Sequence, residues 1–538
     1  MASHSTDRWS SKLGFILGAV GSAVGLGNLW KFPYITYEYD GGAFVLVYLL
    51  ALLIIGLPIM LAEMLVGKMS QTNLVDSFGK LGHGRWTFLG YLSMLTSFLM
   101  LSYYSVIAGW AFASFIQSLM TGGGWEDFGA FLANPWAQIG YHLLFMVLTI
   151  WIVMRGVSNG IEKLVRILMP ALVASLIGLA AFALLSERTD AIGTLSFLFR
   201  PNFSQLGIEG ILEAVGHAFF TLSLGMGVMM AYSAKLGKDA RLAKPAFWIA
   251  GADTGIALAA CLLIFPVIFA ILAEGETELC KGVAILFTSV PKLLSELPGG
   301  SLISALFFLM VSFAALTSSI SMLEVVVSVG VDRLQAKKQV PETKARIQTS
   351  LVVGGIVALL GIASALSNGA DQQMGFRFFS QMPVSVPDAE SCRSGISSEE
   401  LQMAMGISQG KALEEAMARP DFGDRFAAAF PDQLQADDVL SFSRHEATGG
   451  LIVTRTHPKP LRNWLDLVDY LVSNWLLPLN GLLVAIFVGW RLRKSEKMAE
   501  LLAGAPQYRW LYQLWDVLLR WVAPIAILVI MAMVLGVV

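Results

Sequence analysis

Eleven apolar runs follow one another along this chain, at 12–38, 43–67, 87–120, 137–154, 164–185, 208–234, 246–272, 301–331, 347–367, 464–490 and 510–537. A helix needs about 20 such residues to cross a bilayer, and within lipid only helices and closed barrels leave no backbone polar group unpaired. The composition agrees, with 56% hydrophobic and 14% charged residues against roughly 25% charged in soluble domains. The expected fold is therefore an all-α polytopic membrane protein. A net charge of −2 provides no basic surface for nucleic acid. Three scattered cysteines, Cys261, Cys280 and Cys392, suit neither a disulfide framework nor a metal cluster. Cys280 and Cys392 both fall on connections expected outside, where pairing is open to them. The first run continues into patterned sequence with no small-residue cleavage site, so no cleavable leader is expected.

Charge in the connections sets the orientation. With the N-terminus inside, the inner connections hold Lys68, Lys80, Arg85, Arg155, Lys163, Arg166, Lys235, Lys238, Arg241, Lys244, Arg333, Lys337, Lys338, Lys344, Arg346, Arg491, Arg493, Lys494, Lys497 and Arg509. The short outer connections hold Arg188, Arg200, Lys281 and Lys292. Twenty against four is a positive-inside bias. It predicts a multi-pass protein of the cell inner (plasma) membrane, with the N-terminus cytoplasmic and the C-terminus extracytoplasmic. One connection, 368–463, is long and mostly polar, and loops of that length escape the charge rule. It reads as a small, partly helical extracytoplasmic insert. Ser397-Ser398-Glu399-Glu400 resembles a capping box, and Lys411–Ala418 a second short helix stopped by Pro420. Gly406, Gly410 and Lys411 are too close together for a phosphate loop.

Two runs are poor helices at mid-length. The first contains Gly21-Ser22-Ala23-Val24-Gly25-Leu26-Gly27-Asn28-Leu29-Trp30-Lys31-Phe32-Pro33-Tyr34, and the sixth contains Phe219-Phe220-Thr221-Leu222-Ser223-Leu224-Gly225-Met226-Gly227. A single Gly-x-Gly in a membrane helix usually marks close packing. Two of them opening successive groups of five helices, the second group beginning on the opposite side, point instead to an inverted repeat with broken helices lining a binding site. On this reading residues 1–185 form the first repeat. Residues 208–367 and 464–490 form the second, and 510–538 the eleventh helix. Unwound carbonyls suit a cation and unwound N–H groups an anion.

The same residues carry a resemblance to the neurotransmitter:sodium symporter family, in its bacterial eleven-helix branch. It begins at Trp9-Ser10-Ser11-Lys12-Leu13-Gly14-Phe15-Ile16-Leu17 and runs through the 21–34 stretch, Gly41-Gly42-Ala43-Phe44, Gly56-Leu57-Pro58, Glu63 and Tyr103-Tyr104. It continues in 219–227 and Leu316-Thr317-Ser318-Ser319-Ile320, sparing only the insert. The resemblance implies a 5+5 inverted-repeat symporter core carrying a small-molecule amino-acid substrate with sodium ions. One sodium site would use Ala23, Asn28, Thr221 and Asp253, completed by the substrate carboxylate. The other would use Gly21, Val24, Ala314, Thr317 and Ser318. These are all hard oxygen donors, although hydroxyls such as Thr317 and Ser318 commonly bond back to their own helix. Asp253, in Gly251-Ala252-Asp253-Thr254-Gly255, places a carboxylate early in an apolar run, where it is expensive and functional by default, the alternative being a helix cap at the cytoplasmic interface. A fixed carboxylate there replaces the anion of the chloride-dependent members, so chloride is not expected to be required.

For the substrate, the resemblance implies carboxylate donors at Tyr104 and at the N–H groups of Leu26 and Gly27. Ser22, Met100, Phe220, Ser223, Met226, Ser318 and Met322 would line the side-chain pocket. Gly25 stands where monoamine carriers have an aspartate, which favours a zwitterion. Three methionines make an adaptable lining suited to apolar or aromatic side chains. Lys31 and Asp469 match an outer gate, with Phe220 as its lid. Asp332 matches half of an inner latch whose arginine is missing: Thr6 stands there and Arg8 lies two residues on. Lys235 replaces a common tyrosine. Glu63 matches a brace for the unwound first helix, and Glu324 is expected to be buried and hydrogen-bonded. His142 and His217 have no metal-ligand spacing. A proton-coupled permease and an amino-acid sensor using the insert remain the alternatives. No nucleophile–base pair or cofactor motif suggests an enzyme, and no protein partner or role for nucleic acid is legible.

Overall fold

The computed structural model describes residues 7–367 apart from 40, 122–124, 126–127, 187–189, 205, 238, 275–277, 281–283, 288–289, 292–293 and 295–298. It also describes 388–396, 405, 416–419, 421–429, 439–444 and 451–459 in the insert, and 464–534 apart from 503–505. Each of the eleven apolar runs is helical. They are α1 (Lys12–Ala23 with Gly27–Glu38), α2 (Gly42–Ser70), α3 (Gly84–Thr121), α4 (Pro135–Val153) and α5 (Val157–Leu185). Then come α6 (Ile208–Thr221 with Val228–Ser233), α7 (Ala243–Glu274), α8 (Gly300–Lys338), α9 (Glu342–Ser367), α10 (Trp464–Arg491) and α11 (Arg509–Val534).

Helix ends follow the local chemistry. Ser11 caps α1 by accepting the Gly14 N–H, and Asn134 caps α4 ahead of Pro135; both satisfy donors that the first turn leaves orphaned. Longer helices lie at the centre. The most apolar stretches of α3 and α8 are 78% and 72% buried, against 22% for α11, so α3 and α8 form the core of the bundle and α11 is peripheral. Outward faces are apolar: Leu46, Leu50 and Leu53 on α2 and Leu351, Val352, Ile356 and Leu359 on α9 are exposed. In water such a belt would be costly, and it is the surface a bilayer covers.

Beyond the bundle lies a feature that the helical reading of the insert did not anticipate. Four strands, β1 (Glu278–Cys280), β2 (Asp388–Ile396), β3 (Val439–Arg444) and β4 (Leu451–Lys459), form an antiparallel sheet in the order β1-β2-β4-β3. The first strand belongs to the α7–α8 connection, so the sheet joins two connecting segments far apart in sequence. A helix at Phe422–Ala429 packs Phe422 and Phe426 against Phe442, at ring separations of 4.8 and 5.2 Å. The expected capping box at 397–400 and most of 411–418 lie outside the described residues, as do Gly406, Gly410 and Lys411.

Candidate functional site

The first break begins where α1 stops at Ala23 and resumes at Gly27, bent by 54°. Val24 is extended (φ −72°, ψ 109°), which aims its carbonyl and those before it off the helix axis. Ser318 on α8 fills the gap: its hydroxyl lies 3.5 Å from the Gly21 carbonyl, 3.3 Å from Ser22 and 3.2 Å from Val24. Thr317 bonds the Ala314 carbonyl at 3.0 Å, and a Cβ on Gly21 would meet the Thr317 Cβ at 3.2 Å. The carbonyls of Gly21, Val24 and Ala314 and the hydroxyls of Thr317 and Ser318 therefore form one patch. Back-bonding and cross-bonding coexist: Thr317 bonds its own helix, while Ser318 reaches across to α1.

A second oxygen group gathers on the other side of the break. The Asn28 Nδ2 donates to Asp253 Oδ1 at 2.7 Å and to Thr221 Oγ1 at 3.0 Å, and the Thr221 hydroxyl donates to Asp253 Oδ2 at 2.8 Å. The Asn28 amide oxygen accepts the Gly25 N–H at 3.0 Å, so acting as a cation ligand requires the amide to release that bond. Asp253, Asn28 and Thr221 are fully or almost fully buried. Among the described residues no lysine or arginine pairs with Asp253. A buried carboxylate without a cation is costly, and hard oxygen donors around it suit a small hard cation.

In α6 the break spans Leu222 to Gly227, with positive φ at Ser223 (54°), Gly225 (80°) and Gly227 (76°). Glycine takes this conformation without penalty, whereas Ser223 is held there at a cost of roughly 1–2 kcal/mol. The freed Gly225 N–H donates to Glu63 Oε1 at 2.7 Å, and the Met226 carbonyl accepts from Ser97 at 2.8 Å. Glu63 thus braces the sixth helix, not the first as the resemblance implied.

Between the two breaks lies a cavity of about 20 Å³ lined by Ser22, Ala23, Gly25, Leu26, Gly27, Asn28, Met100, Tyr104, Phe220, Thr221, Ser223, Met226, Ser318 and Met322. The Tyr104 hydroxyl accepts the Leu26 N–H at 3.3 Å. A Cβ on Gly25 would lie 2.8 Å from the Ser318 Oγ and 3.0 Å from the Tyr104 hydroxyl, so the position has no room for an aspartate as the site stands.

Where the outer gate was expected, the structure pairs Lys31 differently. Its ammonium lies 3.5 Å from Glu213 and 5.1 Å over the Phe220 ring. Asp469 accepts instead from Tyr103 at 2.7 Å and from Ser473 at 2.9 Å. Glu213 precedes Phe220 by seven residues, which puts both on one helical face; that spacing was the available signal. His217 packs against Phe32, Tyr48 and Phe220, and neither ring nitrogen has a partner among the described residues. His142 bonds the Ala358 carbonyl at 3.0 Å.

The inner end also departs from expectation. Asp332 accepts from Asn73 at 2.7 Å, and Arg8 is exposed and enters none of the described ion pairs. A four-charge cluster occurs instead. Glu324 takes Lys235 at 2.5 Å and Arg346 at 2.7 Å, and Asp7 lies 3.5 Å from Lys235 and 3.1 Å from Arg346. The Val157 N–H donates to Asp7 at 2.8 Å. Burial alone would raise the Asp7 pKa, but Lys235, Arg346 and the Val157 and Ser158 N–H groups outweigh it and hold the carboxyl below its ordinary value. Trp9 donates to the Tyr232 carbonyl at 3.0 Å and lies over Gly18, where a Cβ would come within 2.3 Å of its ring. The N-terminal segment is thereby tied to α5, α6 and α9, and to Glu324 of α8 only through Lys235 and Arg346.

The model of the sodium:neurotransmitter symporter family matches this chain at residues 6–138 and 133–384. The uncharacterized sodium-dependent transporter YhdH of Bacillus subtilis (strain 168) is 30% identical over 545 residues, covering 100% of this chain and 99% of its own. An uncharacterized sodium-dependent transporter of Haemophilus influenzae is 33% identical over 66% of this chain and 80% of its own. Among solved structures, MhsT in complex with L-phenylalanine is 33% identical and superposes with a TM-score of 0.73, covering 99% of this chain and 100% of that one. Two helices broken around one cavity, buried oxygen clusters beside it and these similarities over the whole length agree: the chain belongs to the sodium:neurotransmitter symporter family.

Proposed function

We propose that this protein couples the inward movement of sodium to that of a neutral amino acid with an apolar or aromatic side chain, by alternating access across the cell's plasma membrane. The observation that carries the proposal is the meeting of the α1 break with the Ser318 and Thr317 hydroxyls on one side and the Asp253–Thr221–Asn28 group on the other. Ala23, Asn28, Thr221 and Asp253, with the substrate carboxylate, hold one sodium. Gly21, Val24, Ala314, Thr317 and Ser318 hold the other. Each inward positive charge contributes about 2.3 kcal/mol per 100 mV of membrane potential.

Tyr104 and the N–H groups around the break receive the substrate carboxylate, and the absence of an acidic side chain at Gly25 suits a zwitterion. The cavity of about 20 Å³ has room for little more than a water molecule. Met100, Met226 and Met322 must turn aside for a side chain to enter, which their flexible thioethers allow. MhsT, the similar solved structure, holds L-phenylalanine, consistent with a substrate of that kind. On this reading the N-terminus is inside and the insert outside.

The test is thermal stabilisation of the purified protein by each of the twenty amino acids, in sodium and then in potassium, since a ligand of the folded state raises the melting temperature with occupancy. Stabilisation by apolar or aromatic amino acids in sodium only is expected. Equal stabilisation in both salts would favour proton coupling. Uptake into proteoliposomes should survive replacement of chloride by gluconate, because Asp253 supplies the negative charge; a large loss would refute chloride independence.

A further inference from the structure

We propose that Cys280 and Cys392 form a disulfide that staples the 368–463 insert to the connection between α7 and α8; the proposal rests on the reading that both segments face the outside. The observation is one of register. β1 and β2 run antiparallel with Glu278 opposite Ser394, Leu279 opposite Arg393 and Cys280 opposite Cys392. Directly opposed residues of such a pair have Cα atoms about 4.5–5.5 Å apart. Disulfides span Cα separations of about 4.4–6.8 Å, so the register satisfies the distance requirement whichever kind of pair it is.

The remaining cysteine does not compete. Cys261 is a buried free thiol within α7, and the helix continues to Glu274 before β1 begins. At 1.5 Å per residue that leaves about 20 Å between Cys261 and the sheet.

The sheet also has reason to need a covalent tie. β1 has three residues, at the short limit for a strand. Among the described residues the insert's own apolar core consists of Ala416, Phe422, Phe426 and Val453, with three partly buried neighbours. Cores that small are generally supplemented by disulfides, metals or association.

Bond formation is a two-electron oxidation. The thiolate of one cysteine attacks the disulfide of an extracytoplasmic protein oxidase of the dithiol–disulfide class, giving a mixed disulfide. The second thiolate then displaces the oxidase, which leaves as its dithiol with both electrons and both protons.

The experiment uses the full chain, produced in a host with such an oxidase. Cells are treated with N-ethylmaleimide before lysis, and the protein is purified without reductant and digested for mass spectrometry. A Cys280–Cys392 cross-linked peptide is expected, with a single alkylated cysteine, Cys261, after denaturation and three after reduction. A cross-link involving Cys261 would overturn the proposal. So would three alkylated cysteines, and copper–phenanthroline oxidation of unalkylated purified protein then identifies the failing premise. Prompt formation of the Cys280–Cys392 link would mean the register is right and the assumed sidedness wrong; no link would mean the register is wrong. The amino-acid stabilisation scan does not involve either cysteine, so the transport reading stands or falls separately.

Discussion

Asp253 is fully buried, and Asn28 and Thr221 donate hydrogen bonds to its oxygens. Two neutral donors soften the cost of burying a carboxylate but do not cancel it, so a cation bound there gains from neutralising it. Asp253→Asn keeps the shape and removes the charge. The half-saturating sodium concentration for thermal stabilisation is expected to rise at least about tenfold, equivalent to about 1.4 kcal/mol; an unchanged sodium titration would remove Asp253 from the site. Tyr104 offers a contrast. Its hydroxyl faces the Leu26 N–H at the edge of the cavity and on the proposed reading donates to a carboxylate, a bond worth about 1.5–3 kcal/mol. Tyr104→Phe should therefore weaken amino-acid binding by roughly 10- to 150-fold while leaving stabilisation by sodium alone unchanged. Equal losses for both ligands would mean that the hydroxyl only supports the helix break.

Among elements, α1 and α6 share one device, and the two glycines serve it differently. Gly225 has φ 80°, and a Cβ there would lie 2.6 Å from the Leu477 carbonyl oxygen, which belongs to the backbone of α10. At Gly25 the obstacles are the Ser318 Oγ and the Tyr104 hydroxyl, both ends of side chains. Backbone cannot turn aside and side chains can. Gly225→Ala is expected to abolish uptake and lower the melting temperature, whereas Gly25→Ala should fold normally and lose chiefly substrate affinity. Melting curves with and without amino acid distinguish the two, and normal uptake by Gly225→Ala would show that α6 does not need its left-handed turn. Much of this device was legible in sequence because Gly25-Leu26-Gly27 and Gly225-Met226-Gly227 are local signals. The positive φ of Ser223 was not, since serine carries no such preference. Nor were contacts between helices: periodicity fixes which face of α6 carries Glu213 and Phe220, but which side chain Lys31 meets depends on how α1 and α6 pack. The same blindness sent Glu63 to the wrong helix and hid a sheet whose first strand lies outside the insert.

At the scale of the whole molecule, the proposed reading makes two charged groups of unequal strength the closures on either side of the cavity. The outer one is the Lys31–Glu213 pair, with side chains 25% and 39% exposed, and a pair so hydrated contributes about 0–1 kcal/mol. The inner one is Asp7, Lys235, Glu324 and Arg346, largely withdrawn from water, with Glu324 at 0% and Arg346 at 6%. Its two carboxylates and two cations balance, so the intact cluster need not stabilise the fold much, yet removal of one charge from a buried network costs about 3–5 kcal/mol. Transport conformations differ by only a few kcal/mol, so the cluster has the leverage to set the balance between inward-closed and inward-open forms. Titration of Asp7 does not work that lever. The folded Asp7 pKa is depressed, so its contribution is complete above the ordinary carboxyl value and is lost only as pH falls through the lowered one; near neutrality it stays charged. Neutralising Glu324 does work it, because among the described ion pairs of Lys235 and Arg346 only those to Asp7 then remain. Ser233 is fully buried on α6, two residues before Lys235, and a cysteine placed there in a Cys261→Ala background reports inner opening through its reaction with a membrane-impermeant maleimide in inside-out vesicles. Glu324→Gln should raise the labelling rate at that position at least tenfold, while Glu324→Asp, which keeps the charge, should stay near the parent. If both label at the parent rate and melt normally, the cluster is structural and the inner closure lies elsewhere, with Asp332 and Asn73 the next pair to test.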